Sequence, residues 1–175
     1  MSNEPGTSEQ RLSDLLARDE IYQLVCTYMR GQDRLDAATH RSVFWDDAEL
    51  DYGFYIGGPD GFVEFAQSAL RNYDSCHHMI GQVQIDVDGD VAYGEVYYNA
   101  FHQGTDADGT RKNRVIAGRY IDRYEKREGA WQIAYRTELS DWADERPAAD
   151  DFFTDNPMPR GDRWPNDRLY THGKR

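Results

Sequence analysis

The sequence predicts an α+β domain; a strongly bent, mixed or antiparallel sheet wrapped around its N-terminal helices would make it a cone-shaped barrel with one open mouth. Three observations carry it. Up to Tyr73 the apolar residues recur mainly at helical spacing. Beyond it they fall into four long strand-like stretches separated by turn signals. The chain has 175 residues with 39% hydrophobic and 30% charged content, which suits one domain with a real core.

Residues 1–11 are polar and are expected to be disordered. From Leu12 the set Leu12, Leu16, Ile21, Leu24, Val25 and Tyr28 is helical in spacing, and Gly31 is the expected stop. A short second helix is expected from about Asp36, as N-cap, to Phe44. "AELDYG" reads as a strand, "GGPDG" as a loop and "FVEFAQSALRNY" as a third helix. A strand runs from about Cys76 to Val87, Asp88-Gly89 signals a hairpin, and the next strand runs from Val91 to about Gln103. "TDADGT" is a second turn, and "RVIAGRYIDRYEK" and "WQIAYRTELSDW" are strands joined at "REGA". The domain is thus expected over residues 12–142. The Pro- and Asp-rich extension 143–175 is expected to pack its aromatics Phe152, Phe153, Trp164 and Tyr170 on the body or on a neighbouring subunit.

A formal net charge of -12 repels nucleic acid and anionic membrane, so neither is expected as a partner. No apolar run is long enough for a membrane span, and "MSNEPGTSEQ" does not read as a signal peptide, so the cytoplasm is the expected location. Cys26 and Cys76 have no metal or redox spacing. The chain has no G-x-S-x-G elbow, P-loop or G-x-G-x-x-G, so an acyl-transfer or nucleotide-binding reading has no support. Twelve tyrosines and four tryptophans could serve packing or line a pocket.

Three of the five histidines, His77, His78 and His102, fall in one predicted hairpin. A three-residue loop at Asp88-Gly89-Asp90 would place His78 opposite Ala100 and on the face of His102. A two-residue loop would put them on opposite faces unless a bulge restores the match. Asp33 follows the first helix. A carboxylate beside one imidazole nitrogen fixes the tautomer and makes the other a base, and a second histidine could act as acid. Tyr52, with Tyr98 or Tyr120, could hydrogen-bond a substrate carbonyl as charge develops. Each residue also has a plain structural role open to it. Asp33 could cap a helix–helix turn, Tyr52 could pack, His40 reads as exposed, and Asp46-Asp47 reads as a solvated loop. A metal held by His77, His78, His102 and Asp33 is an alternative without a strong spacing signature.

The ordered series "LLARDEIYQLVCTYMRGQD", "FWDDAELDYG", "GPDGFVEF", "HHMIGQVQIDVDGDVA", "AFHQ", "GRYIDRYEKREGAWQI" and "LSDW" resembles the SnoaL-like branch of the nuclear-transport-factor-two-like superfamily. That resemblance implies a bent sheet cone closed by helices. Within it, "HMIG", "FHQ" and "LDY" resemble scytalone dehydratase. The match implies catalytic roles for His78, His102, Asp33 and Tyr52, and a shared face for the two histidines. "FWDDAEL" is similar to a stretch of hexachlorocyclohexane dehydrochlorinase, whose Asp–His dyad matches Asp33 and His78. That enzyme lacks a second histidine, so His102 points to an oxygen leaving group. Gln32 stands where the dehydratase has a tyrosine and Tyr120 where it has an asparagine, which implies a substrate other than scytalone. Tyr28, Gln32, Leu50, Tyr98 and Tyr120 are the expected substrate contacts. The resemblance implies a cofactor-independent lyase of the dehydratase type, acting on an apolar ring compound such as a polyketide, steroid or lignin-derived aromatic, and a homotrimer. A ketosteroid-type isomerase, or a binding module like an oxygenase small subunit, is the alternative.

Overall fold

The computed structural model describes residues 7–148 and 152–171. Helix α1 (Ser8–Asp33) starts at Thr7, whose side chain accepts from the Gln10 amide. It therefore begins ahead of Leu12, while residues 1–6 of the expected disordered segment lie outside the described residues. Its first turns reach past the core: Leu12, Leu15 and Leu16 are all more than half exposed. The inward stripe is Ala17, Ile21, Val25, Tyr28 and Met29.

Gly31 does not end this helix. A Cβ there would lie 2.6 Å from the backbone of His40, so the glycine allows α2 (Ala37–Arg41) to pack directly on α1. The stop comes later, as a Schellman turn with Leu35 at φ 51°. Its Asp36 amide donates to the Gly31 carbonyl (3.0 Å) and its Leu35 amide to the Gln32 carbonyl (3.2 Å). Asp36 then caps α2 through the Thr39 amide. His40, expected to be exposed, is fully buried between Tyr28 and Phe62.

Strand β1 (Phe44–Asp51) starts before the expected "AELDYG" and takes in Asp46 and Asp47. These are outward strand residues rather than a loop, paired with Arg41 and Arg127 respectively. After the short β2 (Ile56–Gly57), helix α3 (Pro59–Leu70) opens with proline at its first turn. Strands β3 (Ser75–Asp88), β4 (Val91–Thr105), β5 (Arg111–Arg127) and β6 (Ala130–Pro147) form an antiparallel meander. The sheet order is β2-β1-β6-β5-β4-β3, with β1 parallel to β6. The result is a curved, unclosed sheet with the helices packed in its concave side, the cone the sequence predicts.

Bulges make the curvature. β6 has register shifts opposite Ala117/Gly118 and Arg123/Tyr124, and β3 has one between Ile80 and Val83. The extension is only partly free of the body. β6 continues to Pro147, and two short helices follow, α4 (Phe152–Asp155) and α5 (Arg168–Thr171). Between them the Trp164 amide donates to the Arg34 carbonyl (2.7 Å), and Arg163 donates to the carbonyls of Asp33 and Tyr73. The Trp164 ring itself stays exposed. Among the described residues no helix is long and apolar enough to cross a membrane.

Candidate active site

The β3–β4 hairpin settles the register of the histidines. Asp88 pairs with Val91, so the turn has two residues, Gly89 (φ 62°) and Asp90, rather than three. That turn alone would put His78 opposite Phe101. The bulge between Ile80 and Val83 adds one residue to β3, and His78 comes to face Ala100 while Cys76 faces His102. His78 and His102 thus share the concave face, with ring centroids 5.1 Å apart and planes at 86°.

Asp33 lies in the last turn of α1, where the helix meets the start of β3. One carboxylate oxygen is 2.7 Å from His78 Nδ1, and the two oxygens accept from the His78 backbone amide at 3.2 and 3.1 Å. The carboxylate therefore grips both main chain and ring. A carboxylate can only accept, so Nδ1 carries the proton and the lone pair is left on Nε2.

His78 and His102 line one cavity of about 140 Å³ under the mouth of the cone. Its walls are mostly apolar and aromatic, with Phe54, Phe62 and Phe65 from β2's approach and α3 on one side. Burial, reinforced by the neighbouring His78, lowers the pKa of His102 to about 4, so its ring is neutral near pH 7. Its Nδ1 is buried without a partner among the described residues, as is the side-chain nitrogen of Gln32, another wall residue. Such groups need a ligand or water to satisfy them.

Tyr28, Tyr52, Tyr98 and Tyr120 all line the cavity. The Tyr28 and Tyr52 hydroxyls are 2.9 Å apart, and burial raises the pKa of both, so each keeps its proton. Tyr52 stacks on Phe62, and Tyr120 stacks on Tyr98. Leu50, expected to touch substrate, is instead buried in the core and absent from the lining. It is an inward β1 residue covered by neighbours. Among the described residues no group of three or more histidine, cysteine or carboxylate side chains is assembled that could hold a metal ion.

Two charged residues at or beside the cavity were not anticipated, and both are inward residues of β6. Arg136 is fully buried, bonded to Asp122 through Nε and Nη2 at 2.7 Å each, with its guanidinium over the rings of Tyr28 and Tyr120. Glu138 lines the cavity and accepts from the Tyr98 hydroxyl. Their signal is visible in hindsight: Arg136 and Glu138 are two apart on a strand whose preceding buried residues, Trp131, Ile133 and Ala134, are apolar.

The SnoaL-like domain model matches residues 13–137. Two uncharacterized proteins, one of Mycobacterium tuberculosis and one of Mycobacterium bovis, are each 30% identical over 132 residues, covering 73% of this chain and 87% of theirs. Among solved structures, LinA superposes with a TM-score of 0.68 at 25% identity, over 80% of this chain and 95% of its own. A type 2 LinA, described as a hexachlorocyclohexane dehydrochlorinase, gives 0.69 at 24% identity over 80% and 94%. A candidate scytalone dehydratase of Novosphingobium aromaticivorans gives 0.68 at 19% identity over 78% and 91%. The last two likenesses show the fold.

Proposed function

The chain belongs to the SnoaL-like domain family, and from that premise we propose that it is a cofactor-independent lyase of the dehydratase type. The observation that carries this is one geometry. Asp33 fixes the tautomer of His78 at 2.7 Å, and His78 shares an aromatic cavity with a second, neutral histidine.

In this reading His78 Nε2 takes a proton from carbon next to a carbonyl or aromatic ring, and Asp33 stabilises the imidazolium that forms. The Tyr28–Tyr52 hydroxyl pair donates to the carbonyl oxygen as it gains charge. Being neutral, His102 acts as an N–H donor that polarises the leaving hydroxyl, not as a preformed imidazolium. The proton held on His78 then completes the water, so substrate yields alkene plus water and the enzyme is regenerated. The named activity of the LinA neighbour, removal of hydrogen chloride, is an elimination of the same form. His102 favours oxygen over halide as the leaving atom.

The test is product mass from a panel of hydroxylated ring ketones. Loss of one water supports the lyase. A product of unchanged mass makes it an isomerase. No turnover of any compound, with a larger protein copurifying, makes it a binding subunit. We further propose that the protein works in the cytoplasm as a homotrimer. Met79, Tyr93, Leu139 and Trp142 leave apolar surface exposed on the sheet strands, which a trimer would cover. Mass in solution checks this, and a monomer at micromolar concentration would remove it.

A further inference from the structure

Glu138 is the one carboxylate in the cavity lining among the described residues, Asp33 lying behind His78 outside it, and the elimination described above does not use it. It stands on β6, separated by β5 from β4, which carries His102, and β3 lies beyond. At about 4.8 Å per strand spacing, its backbone is roughly 10 Å from that of β4. Its position is built. Gly118 faces Tyr98 across the β4–β5 ladder, and a Cβ at Gly118 would lie 2.9 Å from the Tyr98 hydroxyl. The bare glycine lets that hydroxyl pass over β5 and donate to Glu138 Oε1.

Among the described residues Tyr98 is the only side chain bonded to Glu138. An ionised carboxyl has about four acceptor sites, so most of its capacity faces an apolar cavity. A group left so needs a donor from whatever fills the space. The rest of the lining holds no lysine or arginine. The buried guanidinium of Arg136 lies outside the lining, against tyrosine rings, with Nε and Nη2 held by Asp122 and Nη1 without a partner among the described residues. The cavity thus offers an anion no cation and one repelling charge. Its volume also limits the guest: about 140 Å³ is close to the roughly 150 Å³ cavity that holds benzene.

We propose that Glu138, held by Tyr98, is a hydroxyl-recognition subsite, and that the substrate is a neutral one-ring compound whose hydroxyl or phenol donates to this carboxyl while its carbonyl lies toward the histidines. This rests on the elimination reading for the placement of the carbonyl, but not for the preference itself. A steroid would have to push the walls apart.

The test is binding, by calorimetry or chemical-shift titration, of three probes that differ at one position: 4-hydroxyacetophenone, acetophenone and 4-acetylbenzoate. Wild-type protein should bind the hydroxyl compound at least tenfold more tightly than acetophenone and should not take the carboxylate. Glu138→Leu should bring the first two within twofold of each other. Should that variant fail to fold, Glu138→Gln keeps the shape, and it should admit 4-acetylbenzoate. Equal binding of all three by wild type overturns the subsite, as does a preference that survives Glu138→Leu, or no binding of any probe at 10-fold the concentration that saturates a one-ring site of millimolar Kd. A preference lost in the variant, with no turnover of any substrate panel, would keep the subsite and remove the elimination.

Discussion

Asp33–His78 and Asp122–Arg136 are both buried acid–base pairs inside the same cone, and they differ in what they leave over. Asp122 holds Arg136 through two 2.7 Å bonds and also accepts from Tyr124, so the carboxylate is spent on its own neighbours. Asp33 holds one nitrogen of His78 and leaves the other toward a cavity. The first arrangement sets a guanidinium against core tyrosines and leaves over only a proton donor, Arg136 Nη1, buried without a partner among the described residues; it offers no base. The second gives up a satisfied polar group to keep a base available. Burial of charge alone would not tell the two apart; the unspent lone pair does.

The contrast can be broken first at the structural pair. Arg136→Met leaves Asp122 buried with only Tyr124 as partner, and should lower unfolding free energy by roughly 3–5 kcal/mol in urea titration. Adding Asp122→Leu should recover much of that loss, because a matched apolar pair carries no uncompensated charge. If Arg136→Met unfolds at the wild-type midpoint, the pair is not what organises the core. At the other pair the effect should move from stability to rate. His78→Ala and Asp33→Asn should each cut turnover by at least ~10²-fold while shifting the unfolding midpoint far less than Arg136→Met. Turnover near the wild-type rate in either variant would remove the proposed mechanism.

The two pairs were also unequally legible in the sequence. Asp33, His78 and His102 could be singled out because a histidine cluster in a strand hairpin is unusual and its context is similar to a known family. Their common face was not fixed by the residues alone. The turn contributes two residues, and the match depends on a bulge at Gly81-Gln82, of which a lone glycine inside the strand is the only local sign. Asp122–Arg136 went unseen because alternating charges on a strand look like a solvated edge until the sheet curls over them. Gly31 and His40 failed together for one reason. A glycine near a helix end reads as a stop and a histidine among polar residues reads as exposed, yet each exists here to let α2 lie on α1. Both are tertiary contacts, which local propensity does not encode.

A smaller effect should sharpen how the dyad is held. Arg163, from the extension, donates to the Asp33 carbonyl and reaches the Tyr73 carbonyl and the Cys76 sulfur beside it. It ties the end of α1 to the start of β3, the two elements that carry Asp33 and His78. Arg163→Ala should lower kcat by roughly tenfold through misplacement of the carboxylate, with KM little changed, and Arg163→Lys should recover part of it. Wild-type kcat in Arg163→Ala would make the extension irrelevant to the site.

The smallest expected effect separates His40 from the site histidines. His40 is buried without a carboxylate; its Nδ1 meets only the Gln67 amide, and burial holds its pKa at about 3. The unfolded chain binds this proton near the ordinary histidine pKa of about 6.5, and the folded chain does not. Stability is therefore whole above that value and falls as pH drops below it, by about 1.4 kcal/mol per pH unit for this residue. His102, with a pKa of about 4, adds a loss of the same sign over a shorter range. Glu138, whose pKa burial raises, acts in the opposite sense. Both cancel when His40→Phe is compared with wild type between about pH 6.5 and 5, where ordinary carboxylates stay ionised. The variant should lose stability less steeply by about 1 kcal/mol per unit. Parallel slopes would mean that His40 takes up its proton in the folded protein and that the contact between α1 and α2 is looser than its packing indicates.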